Sequence, residues 1–467
     1  MSKSPISRRL FLDAALLPTG WAADVALDVT DGIITAIVPD AERANRNHLP
    51  GLALPGLPNL HSHTFQRAMA GLAEARSPAA SADNFWTWRQ TMYDFLHKLT
   101  PDDVETIAAF AMMQMLEAGF TSVAEFHYLH HAPGGVRYAN PAELCERIAA
   151  AAHRTGIGFT LLPVLYTHGG FGAQPASAAQ SRFTTELDDF ARLLDGAARA
   201  IAPLDDAVLG LAPHSLRAVS PDQLANLPAA PGPIHIHVAE QTREVADCLA
   251  WSGQRPVEWL LSHAAVDARW CLIHATHTDA AERAAMARSG AVAGLCPITE
   301  ADLGDGLFDA PAFRDAGGLW GVGTDSNVPI SAPAELRLLE YGQRLHHRAR
   351  NIMPTAECVS TGHALYTAAL AGGARAVGRR VGRLEPGYRA DLVLLDPAHP
   401  DLVATPAARR LDAYVFAADR GAIATVLVAG RTVVDAGHHH ARAAITAEYR
   451  DCLTRLLREP SSATSRP

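Results

Sequence analysis

Between about residues 54 and 324, short apolar runs bounded by turn residues alternate with longer stretches of helical period. This is the pattern expected of repeated strand and helix units. Eight apolar runs stand out, at 54–60, 121–128, 158–166, 207–212, 233–238, 270–275, 291–296 and 319–324. Eight strands, each followed by a helix, predict an α/β chain built on a (β/α)8 TIM-like barrel over 54–382, with its chemistry at the C-terminal ends of the strands. The first fifty residues read differently. Apolar and polar side chains alternate there around Asp31-Gly32, and the same texture returns at 390–396 and 424–430. Neither segment is large enough to bury a core alone, so 1–53 and 383–440 are expected to combine into one small β-sandwich domain. A C-terminal helix and tail are expected over 441–467.

The polar residues gather where the predicted barrel has its mouth. His61-Ser62-His63 follows the first run, and the i, i+2 spacing turns both imidazoles to one face of an extended segment. The fifth run ends in His235-Ile236-His237-Val238-Ala239-Glu240, the sixth reaches His274, and the eighth leads into Thr324-Asp325-Ser326-Asn327. A lone histidine is ordinarily a satisfied core or surface residue. Four ligand-type side chains at independent strand ends are a different case. His61, His63, His237 and Asp325 offer three neutral imidazoles and a carboxylate, a set that suits one divalent metal, zinc first, with a position left for water. His235 has the opposite strand parity and is expected to pack. His438-His439-His440 lies beyond the barrel and is expected to be a solvated run.

The HxH after strand one, the histidines of strands five and six and the aspartate of strand eight resemble the amidohydrolase superfamily, including its deaminases. The resemblance spans nearly the whole chain. In binuclear members a carboxylated lysine or a glutamate, generally from the fourth strand, bridges two metals. Lysine occurs here only at Lys3 and Lys98, outside the predicted strands, and 209–214 holds no glutamate. One metal per chain is therefore expected. The resemblance also implies that Glu240 shuttles protons to a substrate nitrogen. Asp325 and His274 are placed to accept or orient the proton of the attacking water.

Groups that would bind a carboxylate or carbonyl follow the strands: Gln66, Arg67, Arg89 in Phe85-Trp86-Thr87-Trp88-Arg89, Tyr128, His214 and Arg217. The planar fork of arginine favours bidentate recognition of carboxylates, so a small acidic substrate is expected. Residues 61–72, 125–131 and 237–241 are similar to the deiminases that hydrolyse the formimino group of N-formimino-L-glutamate in histidine degradation. That similarity implies substrate contacts from Gln66, Arg89, Tyr128, His214 and Arg217, with Arg89 in a loop, and it implies a homodimer. Two other readings stand beside it. An aminohydrolase acting on a nucleobase, nucleoside or triazine would use Trp86 and Trp88 for stacking. A catalytically silent barrel serving as a scaffold would have no use for Glu240 and His274.

Composition narrows the partners. With 467 residues, 48% of them hydrophobic, the chain can bury a large core. A formal net charge of −9 and the lack of a long basic run exclude a nucleic-acid or anionic-membrane footprint. The six scattered cysteines form no CxxC pair, which fits a reducing cytoplasm. Ser7-Arg8-Arg9-Leu10-Phe11-Leu12 superficially matches a twin-arginine export signal, but Asp13, Pro18 and Asp24 interrupt the apolar stretch behind it. No apolar run approaches the ~20 residues of a membrane-spanning helix.

Overall fold

A computed structural model describes residues 6–76 and 83–458; Lys3 and the tail 459–467 lie outside the described residues. The alternating N-terminal segment forms β1 (Ser7–Leu17), β2 (Gly20–Thr30), β3 (Ile33–Val38) and β4 (Asn47–Pro55). Asp31 and Gly32 turn β2 into β3 with positive φ angles of 50° and 80°, the backbone that an Asp-Gly hairpin turn requires. The Arg8-Arg9 segment is part of β1.

All eight expected barrel runs contain strands. They are β5 (Leu57–Ser62), β6 (Phe120–His127) and β7 (Gly158–Leu165), then, after a small hairpin of β8 (His168–Gly170) and β9 (Gln174–Pro175), a fourth position split into β10 (Val208–Leu209) and β11 (Ala212–Pro213). β12 (Ile234–Val238), β13 (Trp270–His274), β14 (Val292–Leu295) and β15 (Leu319–Val322) complete the set. β5, β6, β7 and β10/β11 pair in parallel, as do β12 to β15. Parallel bridges at Leu211–Ile234 and Ser215–His237 join the halves on one side, and Ser62–Asp325 joins them on the other. At the last seam the His61 carbonyl accepts from Thr324 N at 3.1 Å and His63 N donates to the Asp325 carbonyl at 2.9 Å. Gly323 permits this approach, because a Cβ there would lie 2.8 Å from His61 N. The surrounding helices start on capping side chains, among them Asn84, Thr100, Asp279 and Ser331, which satisfy the first unpaired N–H groups.

The chain then returns through β16 (Leu392–Leu395), β17 (Ile423–Val428), β18 (Arg431–Asp435) and β19 (His438–His439). Both ends merge into one continuous sheet of order β19-β18-β17-β16-β4-β1-β2-β3. Period-2 alternation decides its two faces. Leu10, Leu12, Leu27, Leu392 and Leu394 enclose a small core of their own, while Leu16, Leu52, Leu54, Val393 and Val426 face the main core. Ile34 exchanges hydrogen bonds with Tyr388 and Gly387 at 2.8 Å each, so the sheet curls over the smaller core. The same alternation corrects one expectation. His439 is not solvated: it is buried on β19, and its Nε2 meets the Thr155 carbonyl at 2.9 Å. The helix Arg442–Leu456 follows and stacks Tyr449 on Phe110 with ring centroids 3.8 Å apart. Among the described residues, no helix is long and apolar enough to cross a membrane.

Candidate active site

The strand ends at the barrel mouth bend through backbone that L-residues seldom adopt. Ala239, His274, Ala275, Asp325 and Asn327 have φ of 52°, 67°, 49°, 45° and 58°. Such conformations cost on the order of 1–3 kcal/mol each and persist only where the surroundings enforce them. Here they do. Asn327 Nδ2 donates to Ser62 Oγ at 3.1 Å, to the His63 carbonyl at 3.1 Å and to the Asp325 carbonyl at 2.9 Å. Asn59 reaches the same network through Thr324 Oγ1 at 2.7 Å. Across the mouth, the Glu244 carboxylate accepts from Ala239 N and Glu240 N at 3.2 Å each. Glu125, on the outer side of β6, accepts from both Thr64 N and Thr64 Oγ1 at 2.7 Å and so secures the turn after His63.

These turns bring His61, His63, His237 and Asp325 together, all buried. His61 Nε2 lies 3.2 Å from His63 Nε2 and 3.1 Å from His237 Nε2, and Asp325 Oδ1 lies 3.2 Å from His63 Nε2 and 3.5 Å from His61 Nε2. His63 Nδ1 donates to the Phe126 carbonyl at 2.9 Å and His237 Nδ1 to the His214 carbonyl at 3.1 Å, which leaves each Nε2 lone pair facing the centre. Burial holds all three imidazoles below their ordinary value, which favours the neutral form that a metal needs. Lone pairs and a carboxylate crowded this closely repel one another unless a cation lies between them. Donor atoms that share one ion at ~2.0–2.1 Å stand about 3–3.5 Å apart, the spacing seen. The donor set fits one divalent metal. Lys98 lies exposed in the turn after helix Phe85–Leu96, and β10 and β11 carry no glutamate, so the fourth strand position supplies neither a bridging lysine nor a bridging glutamate.

His235 packs as expected, with Nε2 at 2.8 Å from the Ala376 carbonyl. Burial lowers it to about 4, and lowers His127 and His130 to about 3. In the unfolded chain all three titrate near pH 6.5. Below that pH the unfolded state binds more protons, so stability falls as pH falls. Each histidine contributes a loss of up to about 1.4 kcal/mol per pH unit between pH 7 and pH 5, opposed by Glu125 and Glu240, which burial raises to about 7. Replacing His127 by asparagine, which leaves those carboxyls in place, is therefore expected to make Tm fall less on acidification than in the unsubstituted protein, and an identical pH dependence of Tm would contradict the assignment.

Glu240 and His274 stand beside the donor set. His274 Nε2 lies 3.7 Å from Glu240 Oε1 and 3.7 Å from Asp325 Oδ2. Burial raises the Glu240 carboxyl well above the usual carboxylate range, against the opposing pull of His274 and Arg217. Burial alone would lower His274, but Glu240, Glu300 and Asp325 outweigh it and raise it. A carboxyl and an imidazole that both hold protons readily are suited to proton transfer near neutral pH.

The cavity in front of these groups opens to solvent and spans about 530 Å³ with its mouth included, and Gln66, Arg89, Tyr128, His214 and Arg217 all line it. Gln66 Nε2 donates to Tyr128 Oη at 2.9 Å, while Gln66 Oε1 and Arg217 Nε have no protein partner. Arg217 lies 3.9 Å from Glu240. Two expectations need correction. Arg89 is on the helix Phe85–Leu96, not in a loop; the Asn84 cap starts that helix, and it presents Phe85, Arg89, Met92 and Tyr93 to the cavity. Arg67 points away from the cavity, donating to Gln114 Oε1 at 2.7 Å and to the Val328 carbonyl at 3.0 Å. Trp88 lines the cavity, whereas Trp86 carries cations, with the guanidinium of Arg89 4.5 Å and that of Arg243 4.7 Å from its ring. Tyr93, Tyr166, Glu244 and Glu300 escaped the sequence reading. Of these only Tyr166, at the end of the third apolar run, carried a positional signal.

An eight-stranded barrel with a His-His-His-Asp donor set at its mouth and a terminal β-sheet defines a class, and the comparisons agree with it. The model of the amidohydrolase family matches residues 52–433, and the chain belongs to that family. Residues 8–48 match a second model, described as the N-terminal domain of formimidoylglutamate deiminase HutF. The chain is 52% identical to formimidoylglutamate deiminase from Pseudomonas aeruginosa, over 92% of this chain and 95% of that protein. A 5-methylthioadenosine/S-adenosylhomocysteine deaminase from Natronomonas pharaonis is 28% identical over 88% of each chain. Among solved structures, an amidohydrolase from Brucella melitensis is similar with a TM-score of 0.92 and 47% identity, covering 97% of this chain and all of that one.

Proposed function

We propose that this chain hydrolyses N-formimino-L-glutamate to N-formyl-L-glutamate and ammonia, a step of histidine degradation. The observation that carries the reading is one cavity in which Arg89 and Arg217 face the Glu240–His274 pair and the His-His-His-Asp set. A metal alone would suit many hydrolases. Two guanidinium groups in the same small cavity select a substrate with two carboxylates. The 52% identity to the Pseudomonas aeruginosa enzyme supports the same choice.

His61, His63, His237 and Asp325 would hold one divalent ion, with zinc favoured by the imidazole-rich set. When bound, such an ion supplies Lewis acidity that lowers the pKa of water toward ~7. The remaining work falls to the chain. Arg89 and Arg217 bind the carboxylates and hold the formimino carbon over the strand ends, with Gln66, Tyr128 and His214 shaping the cavity around it. Asp325 accepts the proton of the attacking water and His274 orients it. Glu240 gives a proton to the imino nitrogen as the carbon gains an oxygen. A second proton, from the added hydroxyl, passes to the same nitrogen, the C–N bond to it breaks, and ammonia leaves. The family resemblance adds a homodimer and a cytoplasmic setting to this reading, for which light scattering and cell fractionation are the checks.

Arg217→Met tests the substrate class. Hydrogen bonds to charged groups contribute roughly 1.5–3 kcal/mol, and ~1.4 kcal/mol is tenfold. The variant is expected to lose about tenfold to a hundredfold in kcat/KM for the dicarboxylate, to keep its metal, and to lose little toward a neutral formamidine. Equal losses on both substrates would refute carboxylate recognition by Arg217.

A further inference from the structure

Behind His274, on the side away from the cavity, lies a carboxylate that the proposed reaction does not use. Glu300 belongs to the short helix Pro297–Leu303 that follows β14, and it is buried. Its Oε1 accepts from Cys296 N at 2.8 Å and lies 3.2 Å from His274 Nδ1. A carboxylate has no proton to give, so this contact places a hydrogen of the imidazole on Nδ1. The other ring nitrogen, Nε2, is the one 3.7 Å from both Glu240 Oε1 and Asp325 Oδ2.

The helix that carries Glu300 is itself anchored to the end of β15. Thr299 Oγ1 meets the Thr324 carbonyl at 3.2 Å and Ser326 Oγ at 2.9 Å, one residue on either side of Asp325. Ile298 N donates to the buried Glu335 carboxyl at 3.0 Å. His274, by contrast, sits on strained backbone with φ of 67°; its ring stacks on that of His237 with centroids 5.6 Å apart, and among the described residues its ring nitrogens bond to no group of β13. The orientation of the imidazole therefore depends on a partner from the next strand-helix unit.

We infer that Glu300 is the positioning residue for His274: its carboxylate keeps a hydrogen on Nδ1 and so turns Nε2 toward Glu240 and Asp325. A second carboxylate that orients a functional histidine is worth about 10–100-fold where such pairs have been broken. The catalytic consequence rests on the deiminase reading, whereas the Nδ1 hydrogen does not.

The test uses the full-length, zinc-loaded chain. Glu300→Gln keeps the side-chain shape, but its amide can also donate to Nδ1 and so no longer keeps a hydrogen there. Its kcat is expected to fall about 10–100-fold, with KM and metal content unchanged, and Glu300→Asp is expected to restore part of the loss. In a His274→Asn background Glu300→Gln should cost nothing further, because the residue it acts through is gone. Nitrogen-15 NMR of His274 needs no substrate and should show an Nδ1–H bonded to a carboxylate in the unsubstituted protein and the loss of that signature in Glu300→Gln. An unchanged kcat, an equal loss in the His274→Asn background, or a bare Nδ1 in the unsubstituted protein would overturn the inference. If formiminoglutamate proved inert while NMR showed the Nδ1–H form, the substrate assignment would fail and the positioning would stand. The measurement on the unsubstituted protein decides the Nδ1 contact even if a variant does not fold.

Discussion

Glu240→Gln is expected to leave the fold and the metal intact and to lower kcat by about 10²–10⁴-fold, the usual contribution of a positioned general acid or base. The amide keeps the shape of the carboxyl, and Glu244 still holds the backbone at Ala239 and Glu240, so the side chain stays aimed at the cavity. What is lost is the proton that burial keeps available by raising the Glu240 carboxyl above the usual carboxylate range. Steady-state kinetics with elemental analysis on the same preparation separates the two contributions. A variant with near-normal kcat would show that Glu240 only buttresses the turn, and one that loses metal would show that it helps shape the donor set.

Removal of the ion has the larger expected effect. Chelation should abolish measurable turnover, since Lewis-acid stabilisation contributes several kcal/mol at ~1.4 kcal/mol per tenfold. Re-addition of one equivalent of zinc should restore it. The metal-free protein should also melt earlier. Its closely packed imidazoles and Asp325 carboxylate then lack a shared cation, and a ligand present at 100 times its Kd stabilises by about 2.7 kcal/mol. A His61→Ala/His237→Ala double variant should bind essentially no zinc. Two equivalents per chain, or full metal retention in that variant, would contradict the mononuclear donor set.

Much of this site was legible because a barrel converts strand ends into neighbours. His61, His63, His237, His274 and Asp325 each follow an apolar run, and a rule about one end of one fold places them together. The misplaced boundaries have local physical causes. The first predicted run, 54–60, straddles two sheets, because β4 ends at Pro55 and β5 begins at Leu57. Gly56 lies between them, where a Cβ would come within 2.2 Å of Thr121. The fourth run is split at Gly210, whose missing Cβ lets the Pro233 carbonyl approach.

What stayed illegible depends on how helices lie over the barrel. Arg89 and Tyr93 reach the cavity because helix Phe85–Leu96 folds across its mouth, a tertiary choice that no local pattern encodes. Arg67 was misread for the same reason, since one position beyond Gln66 on a short helix turns a side chain away from the cavity and toward Gln114. Glu300 carried no signal at all, since its role exists only once His274 lies beside it.

The most direct measurement is product analysis with the zinc-loaded protein and N-formimino-L-glutamate. Ammonia and N-formyl-L-glutamate should appear in a one-to-one ratio at a rate far above that with guanine, cytosine or a neutral formamidine. Ammonia released from a nucleobase while formiminoglutamate stayed intact would contradict the account.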